Sequence, residues 1–176
     1  MIVLVGGGAR SGKSAFALRR ARELGRRRVF LATAEAGDAE MADRIARHAK
    51  ERGREFRILE VPIRVVEALR TLDPVDVVLL DCLTLWISNM LMAGLREAAI
   101  LRECSRLAAL LRKTRCHVVV VTNEVGLGLV PETPLGRTFR DVAGRAHQTL
   151  ARLADEVYFG ALGVLIRLKP DLGVVS

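Results

Sequence analysis

Apolar segments recur along the chain at residues 2–5, 29–33, 56–61, 77–81, 117–122, 157–159 and 164–168, and amphipathic stretches separate most of them. Ile2-Val3-Leu4-Val5, Val29-Phe30-Leu31-Ala32, Val77-Val78-Leu79-Leu80 and Val118-Val119-Val120-Val121 contain no polar position, the pattern of strands covered on both faces. Residues 56–61 alternate instead, as a short strand does. Between the strands the apolar spacing turns helical. Residues 14–24 put Ala17, Leu18, Ala21 and Leu24 on one face, and residues 38–52, capped by Asp38, put Met41, Ile45 and His48 at i, i+4 and i+7. Pro62 suits the first turn of a helix carrying Val65, Val66 and Leu69, which Asp73-Pro74 breaks. Residues 83–92, 97–113 and 135–154 complete the set, the last with Leu135, Phe139, Val142, Ala146, Leu150 and Leu153 along one side. Strands alternating with helices imply parallel pairing through right-handed crossovers, so the expected fold class is α/β, three layers around a mostly parallel sheet. No internal repeat, low-complexity segment or linker divides residues 1–176, which read as a single domain.

The first strand runs directly into Gly7-Gly8-Ala9-Arg10-Ser11-Gly12-Lys13-Ser14, which satisfies G-x-x-x-x-G-K-[ST] between a strand and a helix. Glycines let backbone N–H groups turn inward around phosphate oxygens, and the helix that follows adds its positive dipole end. Lys13 would reach the β- and γ-phosphates, and the Ser14 hydroxyl would bind Mg2+. Asp81 closes a continuous apolar strand, where a carboxylate helps hold the same metal. The alternation of elements around this loop predicts a RecA-like P-loop nucleotide-binding domain.

Composition narrows the setting. Half the residues are apolar (51%), enough for one sizeable core. Cys82, Cys104 and Cys116 show no C-x-x-C spacing, so neither a disulfide framework nor a zinc site is expected, and a reducing cytoplasm is the simplest compartment. The apolar start has no basic region ahead of it, so a signal peptide is not expected, and no run approaches the length of a membrane span. Net charge is +8, carried by arginines spread over nearly every helix. That charge suits a polyanionic small molecule as well as nucleic acid; with aromatics at 4% there is no stacking platform, and no nucleic-acid partner is expected.

His48 has two readings. It is either a packing residue on an apolar helix stripe or a nucleophile, and Arg44, Arg47, Lys50 and Arg52 surround it with the charge a triphosphate needs. An imidazole with an ordinary pKa of about 6.5 is largely neutral at pH 7, and cationic neighbours keep it so. Neutral imidazole attacks phosphorus. Glu35, Glu60 and Glu124 lie at or near strand ends, where a carboxylate in water is the simpler account; Arg137, Arg140, Asp141 and Arg145 read as a solvated face or a subunit contact, and His117 and His147 as structural.

Four stretches occur in one order: the phosphate loop; Glu40-Met41 with Arg44-Ile45-x-x-His48; Asp81-Cys82-Leu83-Thr84-Leu85-Trp86-x-x-Asn89; and Thr122-Asn123-Glu124-Val125-Gly126-x-Gly128-x-Val130-Pro131. With Phe139-Arg140-Asp141-x-x-Gly144-Arg145-x-x-Gln148 they resemble the bifunctional adenosylcobinamide kinase / adenosylcobinamide-phosphate guanylyltransferase family of cobalamin biosynthesis, over residues 1 to about 160. The resemblance implies two reactions. A nucleoside triphosphate, ATP or GTP, phosphorylates adenosylcobinamide; GTP then donates GMP to that phosphate through a guanylylated histidine, here His48. It implies nucleotide contacts from Gly7 to Ser14, from Thr33, Ala34 and Glu35, from Ala49, Lys50, Glu51 and Arg52, and from Glu60 and Asp81, and it implies a homotrimer. Gly6, Phe56 and His147 depart from the family, which commonly has Thr, Trp and Asn there. A nucleic-acid-stimulated P-loop ATPase is the alternative reading, and a GTP-dependent switch is disfavoured because no Asn-Lys-x-Asp-type guanine reader is present.

Overall fold

The structure, a computed structural model, describes residues 1–35, 55–171 and 173–175. In chain order these form β1 (Ile2–Gly7), α1 (Lys13–Leu24), β2 (Arg28–Ala32), β3 (Phe56–Glu60), α2 (Val65–Arg70), β4 (Val77–Asp81), α3 (Leu83–Met92), α4 (Glu97–Leu111), β5 (His117–Val121), α5 (Pro134–Leu153), β6 (Glu156–Ala161), β7 (Val164–Lys169) and β8 (Gly173–Val175). The described strands make one sheet in the order β3-β2-β4-β5-β1-β6-β7-β8. Pairing is parallel from β3 to β6 and antiparallel at β6–β7 and β7–β8. The mostly parallel α/β expectation holds; β8 carried no signal strong enough to be read from sequence.

Because side chains alternate across a strand, each apolar run feeds two cores. Val3, Val5, Phe30, Leu79, Val119 and Val121 pack with Phe16, Ala17, Leu18 and Ala21 of α1. Leu4, Leu31, Leu80, Val118 and Val120 pack on the opposite face with Val66 of α2, Trp86 and Met90 of α3, Ile100 and Leu107 of α4, and Val142, Ala146 and Leu150 of α5. Leu80 is 1% exposed, and truncating such a residue to Ala costs about 2–5 kcal/mol.

Two expected elements differ. Pro62 precedes α2 rather than opening it, because the carbonyls of Pro62 and Ile63 are taken as acceptors by Asn89 and Trp86 of α3, which fixes that segment as a loop. Leu135 lies on the predicted apolar side of α5 but is 52% exposed, since the first turn extends beyond the core that Val142 enters. That turn is held locally: Thr133 Oγ1 accepts from Gly136 N at 3.1 Å, and Pro134 fills the first helical turn, where its missing N–H costs nothing. No described helix is long and apolar enough to cross a membrane.

Candidate nucleotide site

Register fixes where the site residues meet. Glu60, Ala32, Asp81, Val121 and Val5 form one transverse row across β3, β2, β4, β5 and β1. Whatever follows these residues in sequence therefore emerges at a single edge, the carboxyl edge of the parallel sheet, where ligands of open α/β folds bind. Gly7 to Ser14 leave β1 there; Thr33, Ala34 and Glu35 leave β2; Glu60 ends β3 and Asp81 ends β4. At about 4.8 Å per strand, Asp81 sits roughly 10 Å from the β1 backbone and Glu60 roughly 19 Å. His48, Ala49, Lys50, Glu51 and Arg52 lie outside the described residues.

The loop is built around two glycines. Gly7 has φ +150°, and a Cβ there would lie 2.5 Å from the Gly160 carbonyl oxygen; Gly12, φ +86°, turns the chain into α1. The first turn of α1 has no acidic residue, which leaves its N-terminal dipole end for an anion. Lys13 is only 6% exposed, and its ammonium donates back to the Gly8 carbonyl at 2.8 Å, so the charge is held within the loop. The buried Ser11 hydroxyl has no hydrogen-bond partner among the described residues. Ser14, in the first turn, is half-buried.

The strand ends beside the loop are tied to one another by side chains. Thr33, fully buried, donates its hydroxyl to Cys82 O at 2.8 Å and accepts from Cys82 N at 2.7 Å. Asn89 of α3 donates to the carbonyls of Thr33 (2.7 Å) and Pro62 (3.0 Å), and Trp86 Nε1 donates to Ile63 O at 2.5 Å. The Leu-Thr-Leu-Trp-x-x-Asn motif thus clamps the ends of β2 and β3 from below. Its Thr84 hydroxyl receives Asn123 Nδ2 at 3.0 Å, which fastens β4 to β5. Glu124 N donates to Gly7 O at 3.1 Å, joining the end of β5 to the base of the phosphate loop.

Burial first, and then the Asp81 carboxylate, push the Cys82 thiol up to about 11, while the Lys13 charge opposes them more weakly. Cys82 is a packed, protonated neighbour, not a nucleophile. Lys13 and Asp81 both act on this one sulfur, which puts cation and carboxylate in one electrostatic neighbourhood.

His147 is more engaged than its sequence context suggested. It reaches from α5 to the end of β5, with Nε2 2.7 Å from Thr122 Oγ1 and Nδ1 3.7 Å from Glu124 Oε2. Burial lowers its pKa, and Glu124 partly counters this. A neutral ring protonated on Nδ1 satisfies both neighbours, accepting from the Thr122 hydroxyl and facing the carboxylate with its N–H. No local sequence signal gives this contact, because it joins residues 25 apart.

Residues 3–168 match the family model described as cobinamide kinase / cobinamide phosphate guanyltransferase. The chain is 41% identical to the bifunctional adenosylcobalamin biosynthesis protein CobP of Pseudomonas aeruginosa, over 96% of this chain and 97% of that one. It is 40% identical to the bifunctional adenosylcobalamin biosynthesis protein CobU of Salmonella typhimurium, over 96% of this chain and all of that one. Among solved structures, the RadB recombinase (TM-score 0.57, 17% identity, covering 99% of this chain and 84% of that one) shares the fold. So does a second solved protein, an ATPase domain (TM-score 0.55, 14% identity, covering 99% and 79%), and at such identities the likeness speaks for the RecA-like P-loop architecture alone. By motif, fold and whole-chain similarity, the chain belongs to the cobinamide kinase / cobinamide phosphate guanyltransferase family.

Proposed function

We propose that this protein phosphorylates adenosylcobinamide and then converts the phosphate to adenosylcobinamide-GDP. The observation that carries the reading is the buried Lys13 ammonium inside a glycine loop, at the same sheet edge as Asp81, in a chain of this family. In the first reaction the acceptor hydroxyl oxygen attacks the γ-phosphorus of the triphosphate, loses its proton, and releases the nucleoside diphosphate. Lys13 and the loop N–H groups stabilise the charge that spreads over the phosphate oxygens.

In the second reaction a ring nitrogen of His48 attacks the α-phosphorus of GTP and pyrophosphate departs; a phosphate oxygen of adenosylcobinamide phosphate then displaces the histidine and takes GMP. The loop that holds the γ-phosphate as cargo in one reaction holds it as part of the leaving group in the other. A nucleotide lying along the carboxyl edge, its phosphates in Gly7–Ser14, would pass Asp81 and Thr33-Ala34-Glu35 and reach Glu60, with Ala49 to Arg52 contributing beside His48.

A hard dication takes oxygen donors, and the Ser14 hydroxyl in the first turn of α1 and the Asp81 carboxylate at the end of β4, both at the carboxyl edge of the sheet, are such a pair, so they fit Mg2+. Bound there, it would supply charge neutralisation to the β- and γ-phosphates. We also place the protein in the cytoplasm as a homotrimer without a nucleic-acid partner. The alternative of a nucleic-acid-stimulated ATPase gains nothing from RadB and the second ATPase domain, whose likeness is one of fold. Incubation with adenosylcobinamide, ATP and GTP, followed by mass analysis of the corrinoid, tests the reading: adenosylcobinamide-GDP is expected, and an unchanged corrinoid with free hydrolysis of nucleotide would refute it.

A further inference from the structure

A cavity of about 480 Å³ opens between the exposed side of α5, the start of α4 and the chain leaving β5. Arg140, Asp141, Arg145 and Gln148 of α5 line it, facing Glu97 of α4 and Gly126. Its groups are polar. Arg140 reaches Asp141 at 3.6 Å, Arg145 pairs with Glu97 at 2.5 Å, and Gln148 is exposed with no side-chain hydrogen bond among the described residues.

The chain that follows Gly126 changes character and carries the cavity's polar lining into an apolar stretch. Leu127, Leu129 and Val130 are 80%, 96% and 65% exposed, a run of apolar side chains standing in water. They stand on a braced support, because the Arg137 guanidinium donates to the carbonyls of Pro131 (3.0 Å) and Glu132 (2.7 Å). Apolar groups grouped in this way mark a surface that is covered in use.

Both features continue from the nucleotide site. Gly126 N donates to Glu124 Oε1 at 2.6 Å, and Glu124 N donates to Gly7 O, so two residues separate the base of the phosphate loop from the cavity wall. An occupant of this surface therefore lies along the segment that joins the end of β5 to the base of the phosphate loop. It must offer a broad apolar face, amide groups, and a hydroxyl or phosphate end.

We propose that the cavity and the apolar rim together form the acceptor site, holding the corrin macrocycle of the substrate. This rests on the function proposed above. The ring face covers Leu127, Leu129 and Val130, amide side arms meet Gln148 and Asp141, and the guanidinium of Arg140 attracts the phosphate of the second reaction's acceptor.

The test compares wild type with Arg140→Ala, Gln148→Leu and Leu127→Ser/Leu129→Ser. Gln148→Leu and Leu127→Ser/Leu129→Ser should raise KM for adenosylcobinamide about tenfold or more, and Arg140→Ala should raise KM for adenosylcobinamide phosphate in the second reaction by a similar factor, the scale of one lost polar or apolar contact set. KM for ATP, labelling of the protein by GTP without corrinoid, and the oligomeric mass should stay at wild-type values. Unchanged KM for the corrinoid acceptor of the corresponding reaction in all three would overturn the acceptor site alone, since wild-type turnover would still support the functional reading. A fall in oligomeric mass would overturn it too, by showing the face to be a contact between copies of the chain. If wild type fails to phosphorylate adenosylcobinamide, both readings fall.

Discussion

The two edges of the sheet use polar residues in opposite ways. At the amino edge, charges are spent on one another. Asp76 receives the backbone N–H groups of Arg26 and Arg27 and the Arg27 guanidinium, and these bonds hold its carboxyl down at about 2; Arg57 pairs with Asp73, and Arg22 with Glu55. At the carboxyl edge, backbone and neutral side chains do the fastening. Thr33, Thr84, Asn89 and Asn123 lock the strand ends, while Lys13 rests on a loop carbonyl, the Ser11 hydroxyl has no hydrogen-bond partner among the described residues, and Glu35 and Glu60 stay exposed. One edge closes the fold with charge; the other fastens its strand ends with backbone groups and neutral side chains.

The largest expected effect breaks this contrast at its centre. Lys13→Ala should lower kcat/KM of both reactions by about a thousandfold or more, as loss of a charge aimed at the transition state does, with little change in Tm. Asp76→Ala should do the reverse, lowering Tm while kcat/KM holds; steady-state kinetics and thermal melts on the two variants check the pair. By linkage, the depressed Asp76 pKa gives stability that is complete above the ordinary carboxylate range and is lost as pH falls toward 2, so the Tm gap between wild type and Asp76→Ala should narrow in acid.

Smaller effects sharpen the account. Gly7→Ala forces a Cβ against Gly160 O at 2.5 Å, and should cost about 1–3 kcal/mol in denaturant unfolding together with nucleotide affinity. Asn89→Ala leaves the Thr33 and Pro62 carbonyls without their donor; a loss of about 1–3 kcal/mol and a raised KM for nucleotide are expected. The smallest concerns His147. Because its folded pKa lies below the ordinary value of about 6.5, its contribution is complete above that value and is lost as pH falls below it. Wild-type Tm should therefore decline more between pH 7 and 5.5 than that of His147→Asn.

Much of this was legible in the chain itself. Val77 to Asp81 reads as a buried strand ending in a carboxylate, and Gly7 to Ser14 as a phosphate loop, because strand periodicity and glycine spacing are local properties. Long-range bonds were not legible. That Asn89 grips Thr33, or that His147 reaches Thr122, depends on where α3 and α5 pack. Leu135 matched a helical stripe, yet a stripe does not say how far the core extends beneath it. The polar side of α5 reads in sequence as a solvated face or a subunit contact; that Arg140 and Gln148 line one cavity with Gly126 depends on how α5 packs.

The central claim is that one working edge serves two transfers, with His48 needed for the second alone. It is tested most directly by giving wild type and His48→Asn GTP labelled at the α-phosphate, with adenosylcobinamide and ATP, and following label on protein and corrinoid together. Wild type should carry an acid-labile guanylyl group and yield adenosylcobinamide-GDP, whereas His48→Asn should carry none and accumulate adenosylcobinamide phosphate. Labelled protein or adenosylcobinamide-GDP from the His48→Asn variant, or loss of both reactions in it, would contradict the account.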